Sequence, residues 1–326
     1  MRVVVTDYTF PALDAEAKAA QAGGAEFAAF QCKTSDDVVE AVRGADVAVV
    51  QFAPLGRKAI YALAPGAAVI RYGIGFDNID IEAANDRALP AGYVPDYCLD
   101  EVADHTTALI LAQLRKLRQL DTSVRQGEWA AVKFASPLPA YAETTIGFLG
   151  LGHIGRAVLK RLAPSGFRFI VSDPMLDQGT AASLGVERVS ASELVERADV
   201  LSLHAPATPE TIGFVNAERL GRMKPNAVIV NTARGTLVDE AALAAALKTG
   251  RIAGAALDVF ATEPLPADSP LRDAPNLILT PHAAWYSGQA ITRLQQLVAD
   301  DIAAHLAGRP LRKPVPGSIA AKGGNR

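Results

Sequence analysis

Residues 144–157 read TTIGFLGLGHIGRA, and the fold turns on this stretch. A short apolar run, Ile146 to Leu149, has the pattern of a buried strand. It breaks at Gly150-Leu151-Gly152-His153-Ile154-Gly155 and runs into a helical segment over Arg156 to Leu162. Strand, tight turn and helix form the context in which GxGxxG signifies a dinucleotide-binding turn. Gly150 permits the turn, Gly152 lets backbone approach a pyrophosphate, and Gly155 lets helix and strand pack closely. The helix N-terminus then offers unpaired N–H groups and a partial positive charge to that diphosphate. Further on, Phe167 to Ser172 reads as a second strand ending at Asp173, 18 residues past Gly155. A carboxylate there accepts from both adenosine ribose hydroxyls and repels a 2′-phosphate, so the expected cofactor is NAD rather than NADP.

Working outward, the 326-residue chain has length for two domains. Half of its residues are apolar and 21% charged, an ordinary globular composition. A net charge of -3 leaves no basic footprint for nucleic acid. No apolar run reaches the length of a membrane span. Met1 opens directly into a strand pattern, RVVVTD, without a leader, so the expected location is the cytoplasm. Cys32 and Cys98 lack metal-ligand spacing and are too few for a disulfide framework, so no metal is expected and both read as packing residues.

Strand-like runs at Val3 to Thr6, Ala25 to Phe30, Val47 to Phe52 and Ala68 to Tyr72 alternate with helical stretches such as Ser35 to Arg43, with Ser35 as the expected N-cap. After the glycine turn the alternation resumes, with strands at Val200 to His204, Ala227 to Asn231, Gly254 to Val259 and Leu277 to Thr280. Strands alternating with helices imply parallel pairing, hence an α/β protein of two doubly wound parallel-sheet domains. An internal echo supports duplication: EAVRGADVAVV over Glu40 to Val50 and ELVERADVLSL over Glu193 to Leu203. Leu99 to Gln126 contains no Gly or Pro and reads as one long helix, buried on several sides, connecting the domains. Gly127 to Glu143 is irregular, with Trp129 and Phe134 as aromatic features of the kind that covers a second subunit. A last helix, Gln289 to Ala307, returns to the first domain, and the tail from Pro310 reads as disordered. The expected division is 1–100 plus 288–326 for one domain and 101–287 for the dinucleotide-binding one.

In doubly wound sheets ligands bind beyond the carboxyl ends of the strands. Three polar residues fall there in succession: Arg234 after AVIVNTA, Glu263 after GAALDVFAT and His282 after LILTP. Arg234 offers a planar fork of donors to a carboxylate. His282 exchanges a proton near neutral pH, and Glu263 holds the imidazole's orientation and favours its protonated form.

GFLGLGHIGRAV, LHAPATPET, NTARGTLVDE, LDVFATEP and TPHAAWYS together resemble the D-isomer-specific 2-hydroxyacid dehydrogenase family, from about Arg71 in RYGIGFDNID to Ser287. VPDYCLDEVADHT and HAAWYS are similar to its branch containing C-terminal-binding proteins. The resemblance implies a Rossmann NAD-binding domain beside a flavodoxin-like substrate or lid domain. It also implies hydride transfer between NAD and a 2-hydroxy acid, the reverse being reduction of a 2-ketoacid. His282 would be the acid/base, Glu263 its partner and Arg234 the clamp on carboxylate and carbonyl oxygen. Ile74, His153, Ile154, Asp173, His204, Thr208, Thr232, Ala233 and Asp258 match cofactor-contacting positions, and N–H groups around Tyr72, Gly73 and Ile74 would hold the substrate carboxylate. A homodimer built on the long helix and the loop after it is also implied.

Trp285 and Tyr286 stand where many relatives carry small residues, and Tyr72, Tyr97 and Trp285 read as an aromatic wall around the substrate. Phosphoglycerate is disfavoured as substrate, because no basic cluster awaits a second anion and no C-terminal regulatory domain follows. Formate is disfavoured because that pattern carries Gln where Glu263 stands. The alternative is an NAD(H)-sensing binding protein of corepressor type, with little catalytic activity.

Overall fold

The computed structural model describes residues 1–319 and divides into two compact units. The first comprises Met1–Cys98 with the chain from Ser287 onward; the second is Leu99–Tyr286. In the first the order is β1 (Arg2–Val5), α1 (Asp14–Ala22), β2 (Glu26–Ala29), α2 (Ser35–Val42), β3 (Val47–Val50), α3 (Arg57–Ala62), β4 (Ala68–Arg71), α4 (Ile81–Asp86) and β5 (Ala91–Tyr93). These strands pair in parallel in the order β2-β1-β3-β4-β5. β5 is an addition to the four expected strands; at three residues it is too short to carry a period. The cap of α2 also differs from expectation. Thr34, not Ser35, is the N-cap, in a capping box with Asp37 that satisfies an orphan N–H at each position.

The second unit runs α5 (Leu99–Leu114), α6 (Leu117–Arg125), α7 (Ala131–Ala135), β6 (Thr145–Leu149), α8 (His153–Leu162), β7 (Arg168–Ser172), α9 (Gln178–Ser183), β8 (Glu187–Arg188), α10 (Ala191–Arg197), β9 (Val200–Leu203), α11 (Ala217–Arg222), β10 (Val228–Asn231), α12 (Glu240–Lys248), β11 (Gly254–Leu257) and β12 (Leu277–Leu279). Its strands are parallel in the order β12-β11-β10-β9-β6-β7-β8. The strand order reverses about β6, which places a topological switch point at the glycine turn. Both faces are covered, as a parallel sheet requires. Val200, Val228 and Val230 face α5 and α8, while Leu201, Leu203 and Ile229 face Leu194, Leu220 and Leu243.

The single helix expected over Leu99 to Gln126 is two helices. Lys116 takes a left-handed backbone, φ 49°, between α5 and α6. Side chains on either side of the bend hold it against the β11–β12 edge. Gln113 Nε2 donates to the carbonyls of Ala255 and Asn276, and the Arg118 guanidinium donates to that of Leu277. Nothing local in sequence marks such a break, because its cause lies some 140 residues away. Within its own unit α5 packs on β10, β11 and α8.

The chain returns to the first unit as α13 (Gly288–Leu306), capped by Ser287 and packed on α1 and β4. The tail was expected to be disordered from Pro310, and as far as Ile319 it is instead ordered. Val315 is fully buried and donates its N–H to Ala91, Tyr93 donates to Lys313, and Gly92 bridges Pro314 in antiparallel fashion. Two prolines do not prevent this, because an edge position needs only alternate donors. The KGGNR end lies outside the described residues.

The internal echo has a structural counterpart. Asp46 Oδ2 accepts from Arg2 N at 2.6 Å and Asp199 Oδ2 from Thr145 N at 2.8 Å, each at the start of its unit's first strand, β1 or β6. The main-chain carbonyls of the two aspartates accept from Ala68 and Val228, and their N–H groups donate to Arg2 and Thr145. Asp199 also takes Lys224 Nζ and Asn226 Nδ2. Asp199→Ala strands these donors, and we expect a loss of about 1–3 kcal/mol of stability, read as a lower urea midpoint for the variant.

Candidate active site

The helix after the glycine turn begins earlier than expected, at His153, so His153, Ile154 and Gly155 form its first turn with Gly152 as N-cap. Gly150 needs its φ of +84°, and a Cβ there would lie 3.0 Å from Ala205 N. A Cβ at Gly155 would lie 3.1 Å from Gly150 O. Gly152 differs: it is exposed, and a Cβ would meet nothing within 4 Å. The turn is thus compressed from below, where the His204–Ala205 backbone presses on it, and open above. An open face over the free N–H groups of a ten-residue helix fits a diphosphate.

Asp173 caps the same turn. Its Oδ2 accepts from Leu151 N and its Oδ1 from Met175 N, both at 2.8 Å. Each oxygen keeps a further lone pair, enough for two ribose hydroxyls. His204 Nε2 lies 2.8 Å from Ser202 Oγ, and desolvation pulls the imidazole down to about 4, so it is neutral at physiological pH. Thr208 N donates to Thr211 Oγ1 at 2.7 Å, while Thr232 is buried with its hydroxyl 2.7 Å from that of Thr106.

The three polar residues at the strand ends are drawn together by backbone devices. Asn231, fully buried at the end of β10, bridges the turn: its Oδ1 accepts from Ala233 N at 3.0 Å and its Nδ2 donates to Arg234 O at 2.8 Å. Gly235 follows because a Cβ there would lie 1.8 Å from the carbonyl carbon of Phe260. That close approach sets the Arg234 turn against the segment leading to Glu263. Glu263 Oε1 accepts from Phe260 N at 2.9 Å, and its Oε2 lies 2.7 Å from His282 Nδ1. Burial alone raises the proton affinity of Glu263. The hydrogen bond and charge of His282, the Phe260 N–H and the Arg234 charge outweigh it, and the carboxyl sits below its ordinary value.

His282 has a left-handed backbone, φ 52°, unusual for a residue with a Cβ. Its N–H donates to Asp258 O at 2.7 Å, and the Asp258 carboxylate takes the next two, Ala283 N on Oδ1 and Ala284 N on Oδ2, both at 2.9 Å. Thr280 Oγ1 donates to the same Oδ1 at 2.5 Å. Sequence reading assigned Asp258 to the cofactor through resemblance and did not see this function, nor Asn231, Gly235 or Thr280. A buried Asn or Asp at a strand's carboxyl end was the signal available. Trp285 meets Tyr286 edge to face at 5.8 Å, and Tyr286 is exposed.

In the first unit the expected aromatic wall is corrected at Tyr72. That ring is buried against Phe10, and its hydroxyl donates to the buried Glu16 at 2.8 Å. Its N–H donates to Val50 O, and that of Gly73 to Arg71 O, so among the described residues Ile74 is the one of the three whose N–H has no acceptor. Gly73, at φ 122°, could not be replaced without meeting the Arg71 guanidinium. Tyr97 is buried as well, its carbonyl accepting from Arg293.

Residues 107–284 match the family model described as D-isomer specific 2-hydroxyacid dehydrogenase, NAD binding domain. A D-3-phosphoglycerate dehydrogenase of Mycobacterium tuberculosis is 38% identical over 89% of this chain, which spans 54% of that protein's length. A glyoxylate reductase of Korarchaeum cryptofilum is 36% identical over 83% of this chain and 82% of its own. The structure of the NAD-dependent formate dehydrogenase from Staphylococcus aureus in complex with NAD is 28% identical, with a TM-score of 0.83 over 98% of this chain and all of that one.

The depressed Glu263 carboxyl carries a pH signature. Its contribution to stability is complete above the ordinary glutamate value and is lost as pH falls through the lowered native value, since the unfolded chain takes up the proton first. Unfolding free energies measured between pH 6 and 3 should therefore fall more steeply for the parent than for Glu263→Gln. Coincident slopes would refute the depression.

Proposed function

The chain belongs to the D-isomer-specific 2-hydroxyacid dehydrogenase family, and from that premise we propose that it is an NAD(H)-dependent oxidoreductase interconverting a 2-ketoacid and a D-2-hydroxy acid. One observation carries the reading: His282 and Glu263 share a 2.7 Å hydrogen bond, with Arg234 close by, at the strand ends of the sheet that bears the glycine turn.

Gly150, Gly152, Gly155, His153 and Ile154 would hold the diphosphate and Asp173 the ribose, with His204, Thr208, Thr232, Ala233 and Asp258 lining the remainder of the NAD site. NAD(H), when bound there, would supply or take up the hydride. Arg234 binds the carboxylate and polarises the carbonyl oxygen of the ketoacid. Glu263, ionised, fixes Nδ1 of His282 and leaves Nε2 for the substrate. In the reducing direction His282 Nε2 gives its proton to the carbonyl oxygen as that oxygen becomes a hydroxyl; in the oxidising direction it takes the proton back. Gly73, Ile74 and Trp285 keep the substrate-contacting roles that the resemblance assigns.

The segment 127–143, expected to be irregular but holding the short helix α7, exposes Trp129 (90%) and Val132 (81%), which supports a homodimer. Among the described residues no helix is long and apolar enough to cross a membrane. Cys32 and Cys98 are not joined in a disulfide, and the location proposed is the cytoplasm, where thiols stay reduced. The sensor reading, and with it the C-terminal-binding branch, draws no support from the relatives, whose names are those of dehydrogenases and reductases.

The test is NADH oxidation against glyoxylate, hydroxypyruvate, its 3-phosphate, pyruvate and phenylpyruvate, with NADPH as control. We expect turnover on at least one ketoacid with NADH preferred, and the phosphorylated substrate among the poor ones. His282→Ala should lower turnover roughly 10²–10⁴-fold while NADH still binds. Tight NADH binding with no turnover on any ketoacid would return the sensor reading.

A further inference from the structure

The turn that presents His282 is anchored from α5. His105, on that helix, places Nε2 3.1 Å from Thr280 Oγ1 and 3.7 Å from Asp258 Oδ1, both within the second unit. The hydroxyl of Thr280 has one hydrogen, and at 2.5 Å it goes to the Asp258 carboxylate. Thr280 Oγ1 must then be the acceptor for His105, which fixes a hydrogen on Nε2 of that imidazole. The chain of donors runs His105 to Thr280 to Asp258, and Asp258 in turn holds the N–H groups of His282, Ala283 and Ala284.

We infer that His105 is a positioning residue for the acid/base: by locking the Thr280 hydroxyl it fixes the Asp258 carboxylate, and through it the backbone turn that aims His282. This rests on the activity proposed above. Two features make the path specific. The Asp258 carboxylate is almost fully buried, so a donor it loses is not replaced by water. His282 sits at a positive φ that its own sequence does not favour, so the surrounding bonds must hold it there. The next residue on α5 makes a similar contact two strands away, where the Thr106 hydroxyl meets that of Thr232 at 2.7 Å. Consecutive residues of one helix thus steady the loops after β12 and β10.

The test compares His105→Phe, which removes the donor, His105→Gln, which keeps an N–H, and Thr280→Val, which removes the relay. We expect kcat to fall about tenfold in His105→Phe and in Thr280→Val, a misplacement effect rather than loss of the acid. KM for the ketoacid and Kd for NADH should stay within about twofold, and His105→Gln should recover most of kcat. The double variant His105→Phe, Thr280→Val should be no slower than the slower single one, because both cut one path. Full kcat in His105→Phe would overturn the inference, as would kcat, NADH affinity and thermal midpoint all falling together. If His105→Phe does not fold, Thr280→Val and His105→Gln still decide.

A second readout does not need turnover. The proton resonance of His282 Nδ1–H, identified by its loss in His282→Ala, should shift in His105→Phe and return in His105→Gln. An unmoved resonance overturns the positioning role. A parent protein that shows this pattern yet reduces no ketoacid would sink the activity reading alone.

Discussion

A charged carboxylate almost wholly removed from water is tolerable only when donors surround it, and Asp258 meets that condition by gathering the Thr280 hydroxyl and two successive backbone N–H groups. The reverse is also true. The backbone beyond β12 leaves its ladder and needs acceptors, and a left-handed residue such as His282 needs neighbours that over-determine it. Each requirement answers the other, and the result is an imidazole whose place is set by the main chain and whose ring is set by Glu263. Removing the carboxylate would undo both the loop and the histidine's aim.

The same solution recurs across the molecule. Asp7, nearly buried at the end of β1, accepts from the N–H groups of Gln51, Phe52 and Ala53. Asp173 does so for the glycine turn, and Asp46 and Asp199 for the entry to the first strand of each unit. Parallel sheets generate these needs at every strand end, because each chain must leave the sheet to reach the next helix. A short acidic side chain supplies two acceptors at little conformational cost. The correspondence between Asp46 and Asp199 extends to three matched contacts, which makes the echo between EAVRGADVAVV and ELVERADVLSL a shared construction within each sheet.

Much of this was legible from residue order alone. Buried strands of four or five apolar residues, the glycine turn and the three polar residues beyond β10, β11 and β12 are local patterns, and local patterns survive without coordinates. What escaped depends on contacts distant in sequence. The bend at Lys116 follows from bonds to Ala255, Asn276 and Leu277; the ordered tail follows from pairing with Ala91 and Tyr93; the burial of Tyr72 follows from Glu16 and Phe10. Composition misled at the tail in particular, since prolines and small residues look alike in a linker and at a sheet edge. Strand-end position and side-chain chemistry assigned roles to Arg234, Glu263 and His282, and resemblance agreed with them, whereas the roles of Asn231, Gly235 and Thr280 emerge only from geometry.

The pairing of the C-terminal segment with β5 bears on the order in which the molecule is made. Leu99–Tyr286 is continuous, so every strand of its sheet has been synthesised by the time residue 286 leaves the ribosome. The other unit is interrupted: its first 98 residues emerge early, yet the helix that covers α1 and the segment that closes the β5 edge come last. During synthesis the N-terminal sheet therefore waits with an apolar flank and an open edge, while the later-encoded unit has all it needs to fold. Completion runs against the direction of translation, and the interval between the two is the period in which the nascent chain most depends on being shielded.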